Sequence, residues 1–200
     1  MQIYEYRGIR GLVAAKITKD DSTGYTADTP FAVAGVASLE KQTATSNAVH
    51  YYDNSPAVVI EGAGADTVTI NASAIPLDIL ATLTGQTYSS AKGMLVEEDR
   101  QNTYFAIGYI TEDTNGDEVY VWRLKGTFSI PQAIHNTKDD GTDANGQTLT
   151  YTGIGTTHSF TLTGKPAKAI NVKDANTSYT SASFFAAVLT PDTVTDIPTS

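Results

Sequence analysis

Residues 103–130 read TYFAIGYITEDTNGDEVYVWRLKGTFSI, and this stretch decides the fold that the sequence predicts. Two runs of aromatic and β-branched residues flank Asn115 and Gly116. An Asn-Gly pair between such runs favours a β-hairpin with a type I′ turn, because both central residues of that turn need a positive φ. The stretch therefore predicts a long antiparallel hairpin. Its acidic tip carries Glu112, Asp113, Asp117 and Glu118.

The composition of the whole chain favours an all-β domain with long polar loops. Its 200 residues are enough for one domain with a core, 40% of them are hydrophobic, and only short stretches have a helical period. Cysteine is absent from the sequence, so neither a disulfide framework nor a thiolate metal site is expected. No apolar run has the length of a signal-peptide core or of a membrane span. We therefore expect a protein of the cytosol without a membrane partner.

The formal net charge of −9 limits the possible partners. A protein that binds nucleic acid by neutralising phosphates needs clustered Lys and Arg residues. The acidic balance argues against such a protein. It is compatible with a surface past which DNA slides without sticking, and equally with simple solubility.

The pattern along the chain predicts three parts: an arm over residues 1–29, a β-sandwich or barrel over residues 30–170, and an extension over residues 171–200. Gly8 and Gly11 interrupt the apolar residues of the first part, which favours an arm that docks on another chain. The strand candidates are residues 30–40, 58–60, 67–70, 94–96, 148–154 and 157–163, with a flexible linker at 62–65. The last part has one apolar patch, formed by Phe184, Phe185, Val188 and Leu189.

One helix is predicted, over about residues 75–84. Pro76 suits the first helical position, and Gly85 suits the position just past the end. Ile75, Ile79 and Leu83 form an apolar stripe at helical spacing, which is typical of core packing. We expect this short helix to cover an open face or end of the β domain.

The sequence contains no recognisable catalytic or metal-binding motif. Neither a Gly-x-Ser-x-Gly elbow nor a cysteine nucleophile occurs in the sequence. Asp113, Asn115 and Asp117 have the spacing of a calcium loop, but Glu118 stands where that loop needs glycine. The three histidines form no metal-binding pattern: His50, His135 and His158. We therefore expect a protein without a catalytic residue, metal or cofactor.

The order of features nevertheless resembles a known family. It begins with a Tyr-rich amino terminus and Val33-Ala34-Gly35-Val36, and continues with a polar loop that ends in Tyr52-Asp53-Asn54. Its most specific part is Phe105-Ala106-Ile107-Gly108-Tyr109 followed by Tyr120-Val121-Trp122-Arg123-Leu124-Lys125-Gly126-Thr127-Phe128-Ser129-Ile130-Pro131. Over about residues 1–170, the chain resembles the major tail protein of long-tailed phages with flexible, non-contractile tails.

This resemblance implies a structural virion protein that is not an enzyme. A β-sandwich or barrel-like domain with a flanking helix would assemble into hexameric rings, and the rings would stack into a tail tube that conducts DNA without binding it specifically. Six copies would carry a formal charge of 6 × (−9) = −54 per ring. The implied partners are further copies of the chain, a tape-measure protein, a tail terminator and distal tail or baseplate proteins. The implied location is the virion tail, after assembly in the host cytoplasm.

Two sets of residues are candidates for the contacts of such an assembly. The long loop over residues 41–56 is the candidate for ring stacking, with an alternative as the top of a second hairpin; its candidate residues are Thr43, Asn47, His50, Tyr51, Tyr52 and Asp53. The candidates for the subunit interface are Tyr4, Tyr6, Tyr109, Tyr120, Trp122 and Phe128. The acidic tip is expected at a ring edge or loop surface.

Two other functions stay open on the sequence. In the first, the chain is a carbohydrate- or host-surface-binding β-sandwich, in which Tyr109, Tyr120 and Trp122 form an exposed platform for sugar stacking. In the second, it is a hydrolase with a pair of carboxylates on its loops.

Overall fold

A computed structural model describes residues 5–134, 145–173 and 179–195 of the chain. Tyr4 and His135 lie outside these ranges. The elements in chain order are β1 (Tyr6–Asp21), β2 (Gly24–Ala27), β3 (Phe31–Ala32), β4 (Val36–Tyr52), β5 (Ser55–Ala72), α1 (Leu77–Thr84), β6 (Thr87–Ser89), β7 (Met94–Val96), β8 (Phe105–Asp113), β9 (Glu118–Phe128), β10 (Gln132–Ala133), β11 (Gln147–Gly153), β12 (Ala169–Lys173) and α2 (Ser181–Phe184).

The fold is mainly β, as the sequence predicts, and is built on one large antiparallel sheet. The strand order is β2-β1-β8-β9-β11-β5-β4, so the hairpin β8–β9 lies at the centre of the sheet. The far edge of β9 is shared, because β12 pairs with its first half and β11 with its end. The sheet bends over its own core in the manner of a β-sandwich and does not close into a barrel.

The predicted central hairpin is confirmed, but its predicted turn is wrong. Gly116 has a φ of 90° and Asn115 does not have a positive φ, so the turn is not of type I′. Instead, the amide of Gly116 donates to the carbonyl of Asp113 at 3.0 Å, and the strands meet across a three-residue loop. The carboxylate of Asp113 also accepts the amides of Asn115 and Asp117, which stabilises this alternative loop.

Hydrophobic cores lie on both faces of the central hairpin. Phe105, Ile107 and Tyr109 point into the first core, which β1, β5, β11 and the α1 region enclose. Tyr120, Trp122 and Leu124 point into the second core, which residues 160–172 and 179–189 cover. The central strands are therefore buried on both sides, and this explains why few polar residues interrupt their sequence.

The predicted helix exists as α1 and packs on the first core through Leu83. Pro76 is the residue that precedes the helix and not its first member. Gly85 ends it in the left-handed conformation, with a φ of 72°. A Cβ atom at Gly85 would lie 2.2 Å from the carbonyl oxygen of Gln101, so only glycine fits there.

The two predicted arms are integral parts of the fold over their described residues. β1 pairs with β8 along its length and buries Leu12, Ala14 and Ala15, so residues 6–21 are not an arm. Bulges between β1 and β8 accompany the positive φ values of Gly8 and Gly11, and they break the alternation by which a strand is recognised. Residues 179–195 likewise pack on the second core, with Phe184 fully buried.

Two smaller predictions are also wrong. The expected linker at residues 62–65 is part of β5, which runs unbroken for 18 residues. The expected strand at residues 157–163 is a turn that contains one isolated bridge, from Phe160 to Lys165. The strands expected at 94–96 and 148–154 are present as β7 and β11.

Candidate assembly surfaces

The outer half of the β4–β5 hairpin projects beyond the strands beside it. Residues 45–63, which we name the distal ribbon, pair with each other and with no other described strand, and they lie beyond the point where β11 stops pairing with β5. From Thr45 to Tyr52 the ribbon extends for about 23 Å at the usual rise of a strand. The stretch expected as a long loop or as the top of a second hairpin is therefore a hairpin.

The turn of the distal ribbon has the geometry that the sequence predicted for the central hairpin. Tyr52 faces Ser55, and the two residues between them, Asp53 and Asn54, have φ values of 50° and 62°. These values define a two-residue turn of type I′. Asp and Asn tolerate this conformation better than other residues with a side chain, so the Asp-Asn pair is the local signal that marks the hairpin.

Both faces of the distal ribbon are exposed, and both carry apolar side chains. Residues 44–64 are all exposed. Val49 and Val59 face each other on one side of the ribbon, and Ala48 and Ile60 on the other. A two-stranded hairpin that packs on nothing is marginally stable in water, and its free edges and apolar surface are liable to associate. The distal ribbon therefore has the properties of a surface that is buried in an assembly.

The base of the ribbon is fixed by a buried carboxylate. Asp66 accepts hydrogen bonds from Arg123 at 2.9 Å and from Thr43 at 2.9 Å, and Lys168 approaches it at 3.4 Å. Burial alone would raise the pKa of Asp66, but the Thr43 hydroxyl and the charges of Lys168 and Arg123 outweigh it and lower that pKa. Lys168 also donates to the carbonyl of Gly64. The ribbon thus projects from a rigid attachment.

The candidates for ring stacking divide between the base and the ribbon. Thr43 is half-buried and bound to Asp66 at the base. The other candidates lie on the exposed ribbon: Asn47, His50, Tyr51, Tyr52 and Asp53. Sequence reasoning missed Val58, Val59 and Ile60 as members of the same surface, although three consecutive apolar residues beside a turn signal could have indicated them.

Four of the five described aromatic candidates for the subunit interface are core residues. Tyr109, Tyr120, Trp122 and Phe128 are 0–7% exposed. They therefore do not form the proposed exposed platform for sugar stacking, because the strands that carry them are covered on both faces, although Tyr109 also lines an open cleft. Tyr6 is 74% exposed and is available for contacts.

The four carboxylates of the acidic hairpin tip pair with three cations from β1 and β12. Glu112 pairs with Arg7 at 2.7 Å, Glu118 pairs with Arg10, and Asp113 and Asp117 pair with Lys173 at 2.9 and 2.6 Å. The hydrogen bond from Lys173, together with the amides of Asn115 and Asp117, holds the pKa of Asp113 below its ordinary value. The tip is therefore an ion-pair cluster, and the ammonium of Lys173 lies between two carboxylates of the sequence that resembles a calcium loop.

An open cleft lies where β3 and β4 part from β1. β3 pairs with β1 at Val13 and Ala14, after which the chain leaves β1 and continues as β4 beside β5. A cavity of about 770 Å³ occupies the fork. We name it the seam cleft; its lining is Tyr6, Gly8, Ile9, Ala37, Ser38, Leu39, Tyr109, Thr111, Val119, Val121 and Asn171.

The described ranges contain no cluster of three or more His, Asp and Glu side chains that could hold a metal ion. His50 lies on the exposed ribbon, and His158 packs edge-on against Phe160 with ring centroids 5.1 Å apart. Over the same ranges, every helix is too short or too polar to cross a membrane.

No protein-family model matches the chain, and no curated protein matches its sequence significantly.

Proposed function

We propose that this protein is a structural subunit that associates with copies of itself into stacked rings, and that the stack is the tail tube of a phage with a long, non-contractile tail. The observation that carries the proposal is the distal ribbon. It exposes Val49, Tyr51, Val59 and Ile60 on a two-stranded projection without a core of its own. Such a surface promotes aggregation of a monomer, whereas in a polymer it is buried by the neighbouring subunit.

The sheet topology supports association by its edges. β2 and the full length of β4 lie at the two ends of the strand order, and neither outer edge pairs with another strand of the described chain. A ring removes such edges by placing each beside the next subunit. The net charge of −9 per subunit suits a channel from which DNA phosphates are repelled.

Electron microscopy of the purified, concentrated protein tests the proposal. We expect stacked rings or tubes with a central channel. A protein that stays monomeric over the whole range of concentration and salt would contradict the proposal.

A shortened variant tests the role of the ribbon. Thr45 and Ala63 face each other, so residues 46–62 can be replaced by Asn-Gly, which forms a two-residue turn between paired positions. We expect this variant to keep the far-UV circular dichroism of a β protein and the emission of buried Trp122, but to form no tubes. The matched control carries Asp53→Asn and Asn54→Gly, which preserve the type I′ turn and the length of the ribbon, and it should form tubes. Tubes from the shortened variant would show that the ribbon is not an assembly element.

A further inference from the structure

The seam cleft is a second surface that a subunit cannot fill by itself. Its floor is formed by side chains of the central hairpin, among them Tyr109, Val119 and Val121, and its walls are β1 and β4. Within the described chain, no strand pairs with the outer edge of β4 or with that of β1 between Tyr6 and Arg10. An apolar floor between unpaired strand edges is the arrangement that accepts an extended segment by β-strand addition.

The chemistry of the cleft selects an uncharged occupant. No Asp, Glu, Lys or Arg residue is among the lining residues. A phosphate backbone needs cations to bind, and a charged peptide would lose its hydration without gaining a partner. The cleft is therefore suited to an apolar strand with few charges.

The distal ribbon has this chemistry. Its only Asp, Glu, Lys or Arg residues are Asp53 in the turn and Glu61, and the uncharged run between them exposes Val58, Val59 and Ile60. Because β11 pairs with β5 only from Asp66 to Ala72, the outer edge of β5 in the ribbon is unpaired by any described strand. The ribbon thus offers an apolar strand edge, and the cleft offers the complementary slot.

The two surfaces lie at different ends of one strand. The cleft contacts β4 at Ala37, Ser38 and Leu39, whereas the ribbon begins at Thr45. From Ser38 to Tyr52 the strand extends for about 45 Å at the usual rise per residue. A ribbon therefore cannot reach the cleft of its own subunit without unfolding. A contact between the two therefore joins two copies, and in a stack of subunits it repeats head to tail.

From this complementarity we infer that the seam cleft receives the distal ribbon of a second copy, with residues 58–60 of that copy on the apolar floor. The inference rests on the proposed self-association and specifies which surface meets the ribbon. It names the seam cleft as the surface that binds the distal ribbon, and a stack that repeats this contact has two different ends.

Cross-linking between single-cysteine variants tests the contact, since the natural chain has no cysteine. Ala37→Cys places a thiol on the exposed wall of the cleft, and Val59→Cys places one on the ribbon. We expect a short bis-maleimide to give covalent dimers in a mixture of the two variants at least tenfold more than in either variant alone. Tyr6→Cys lies on the opposite wall and should also cross-link to Val59→Cys. This second position shows whether a missing cross-link at position 37 results from a local effect of that substitution.

The matched control replaces Lys92, an exposed residue outside the cleft, with cysteine. If the mixture of Lys92→Cys with Val59→Cys gives as many dimers as the cleft variants do, the inference is overturned. A cross-link from Gln2→Cys to Ala37→Cys, without one from Val59→Cys, would assign the cleft to the amino-terminal residues and also overturn the inference.

Electron microscopy of the same samples distinguishes failure of the ribbon–cleft contact from failure of the proposed tube function. Tubes without the cleft cross-link leave the tube function standing and refute the contact, whereas the cross-link without tubes supports the contact and refutes the tube.

Discussion

At the scale of single residues, the fold depends on carboxylates that join distant parts of the chain. Asp20 accepts a hydrogen bond from Lys125 at 2.5 Å and the amides of Thr157 and His158 at 2.8–2.9 Å. It therefore ties β1 to β9 and to the segment after β11.

Removing one partner of a buried ion pair leaves the other charge uncompensated, which costs about 3–5 kcal/mol. We expect Asp20→Asn to lower the free energy of unfolding at neutral pH by about 3 kcal/mol. Urea unfolding followed by Trp122 fluorescence measures this, and Asp28→Asn, at an exposed carboxylate, is the control with little change.

The same variant has a defined pH dependence. Burial would raise the pKa of Asp20, but the hydrogen bonds from Lys125, Thr157 and His158 outweigh it and lower that pKa. The unfolded chain has the ordinary value of about 3.9, so the contribution of Asp20 is complete above that pH and is lost as the pH falls through the lower pKa of the folded state. Asp66 contributes with the same sign. The difference in unfolding free energy between the natural chain and Asp20→Asn should shrink below about pH 4. A difference that stays constant to about pH 2 would contradict this assignment.

At the scale of elements, the carboxy-terminal segment is a cover and not an arm. Phe184 and Phe185 pack on Tyr120 with ring centroids 5.1 and 6.1 Å apart, and the carboxylate of Asp192 accepts the amides of Thr161 and Leu162. Ending the chain after residue 178 removes this cover. We expect a red shift of the Trp emission, binding of a hydrophobic dye and a loss of several kcal/mol of stability, because burial of each large apolar side chain contributes about 1.5–3 kcal/mol.

A chain that ends after residue 195 is the control for this truncation. It keeps every described residue that packs on the second core, so its emission and stability should equal those of the full chain. An unchanged Trp spectrum after truncation at residue 178 would show that the segment does not cover the core in solution.

The sequence predicts those elements in which local and long-range preferences agree. In the central hairpin, alternation, β-branched residues and a turn signal all favour the same structure. In β1, the bulges at Gly8 and Gly11 hide the alternation from any local analysis. In β5, glycine resembles a linker, yet a Cβ atom at Gly62 would lie 2.8 Å from Oγ of Ser46, so glycine allows close pairing there. The cover over Trp122 could not be predicted, because no local pattern states which surface a distant apolar patch meets.

At the scale of the whole molecule, the candidate site is a pair of surfaces and not a pocket with chemistry. The sequence leaves the start of the ribbon, within residues 41–56, open between a long loop and the top of a hairpin. The cleft could not be predicted from the sequence. It forms where β4 diverges from β1, and its lining residues come from five strands. A stack in which the ribbon of each subunit enters the cleft of the next has two different ends.

This polarity predicts that a subunit without a ribbon stops growth. The variant in which Asn-Gly replaces residues 46–62 retains the whole lining of the seam cleft, so it can bind the ribbon of the last subunit in a growing tube. It then offers no ribbon to the next subunit. Addition of this variant to the natural protein should shorten the tubes in proportion to its mole fraction, as measured from lengths in electron micrographs. The variant with Asp53→Asn and Asn54→Gly should leave the lengths unchanged. If tubes keep their normal length at an equimolar ratio of the shortened variant, growth does not depend on the contact between ribbon and cleft. If Ala37→Lys, added to the shortened variant, restores normal tube length, the shortened variant stops growth by binding through its cleft.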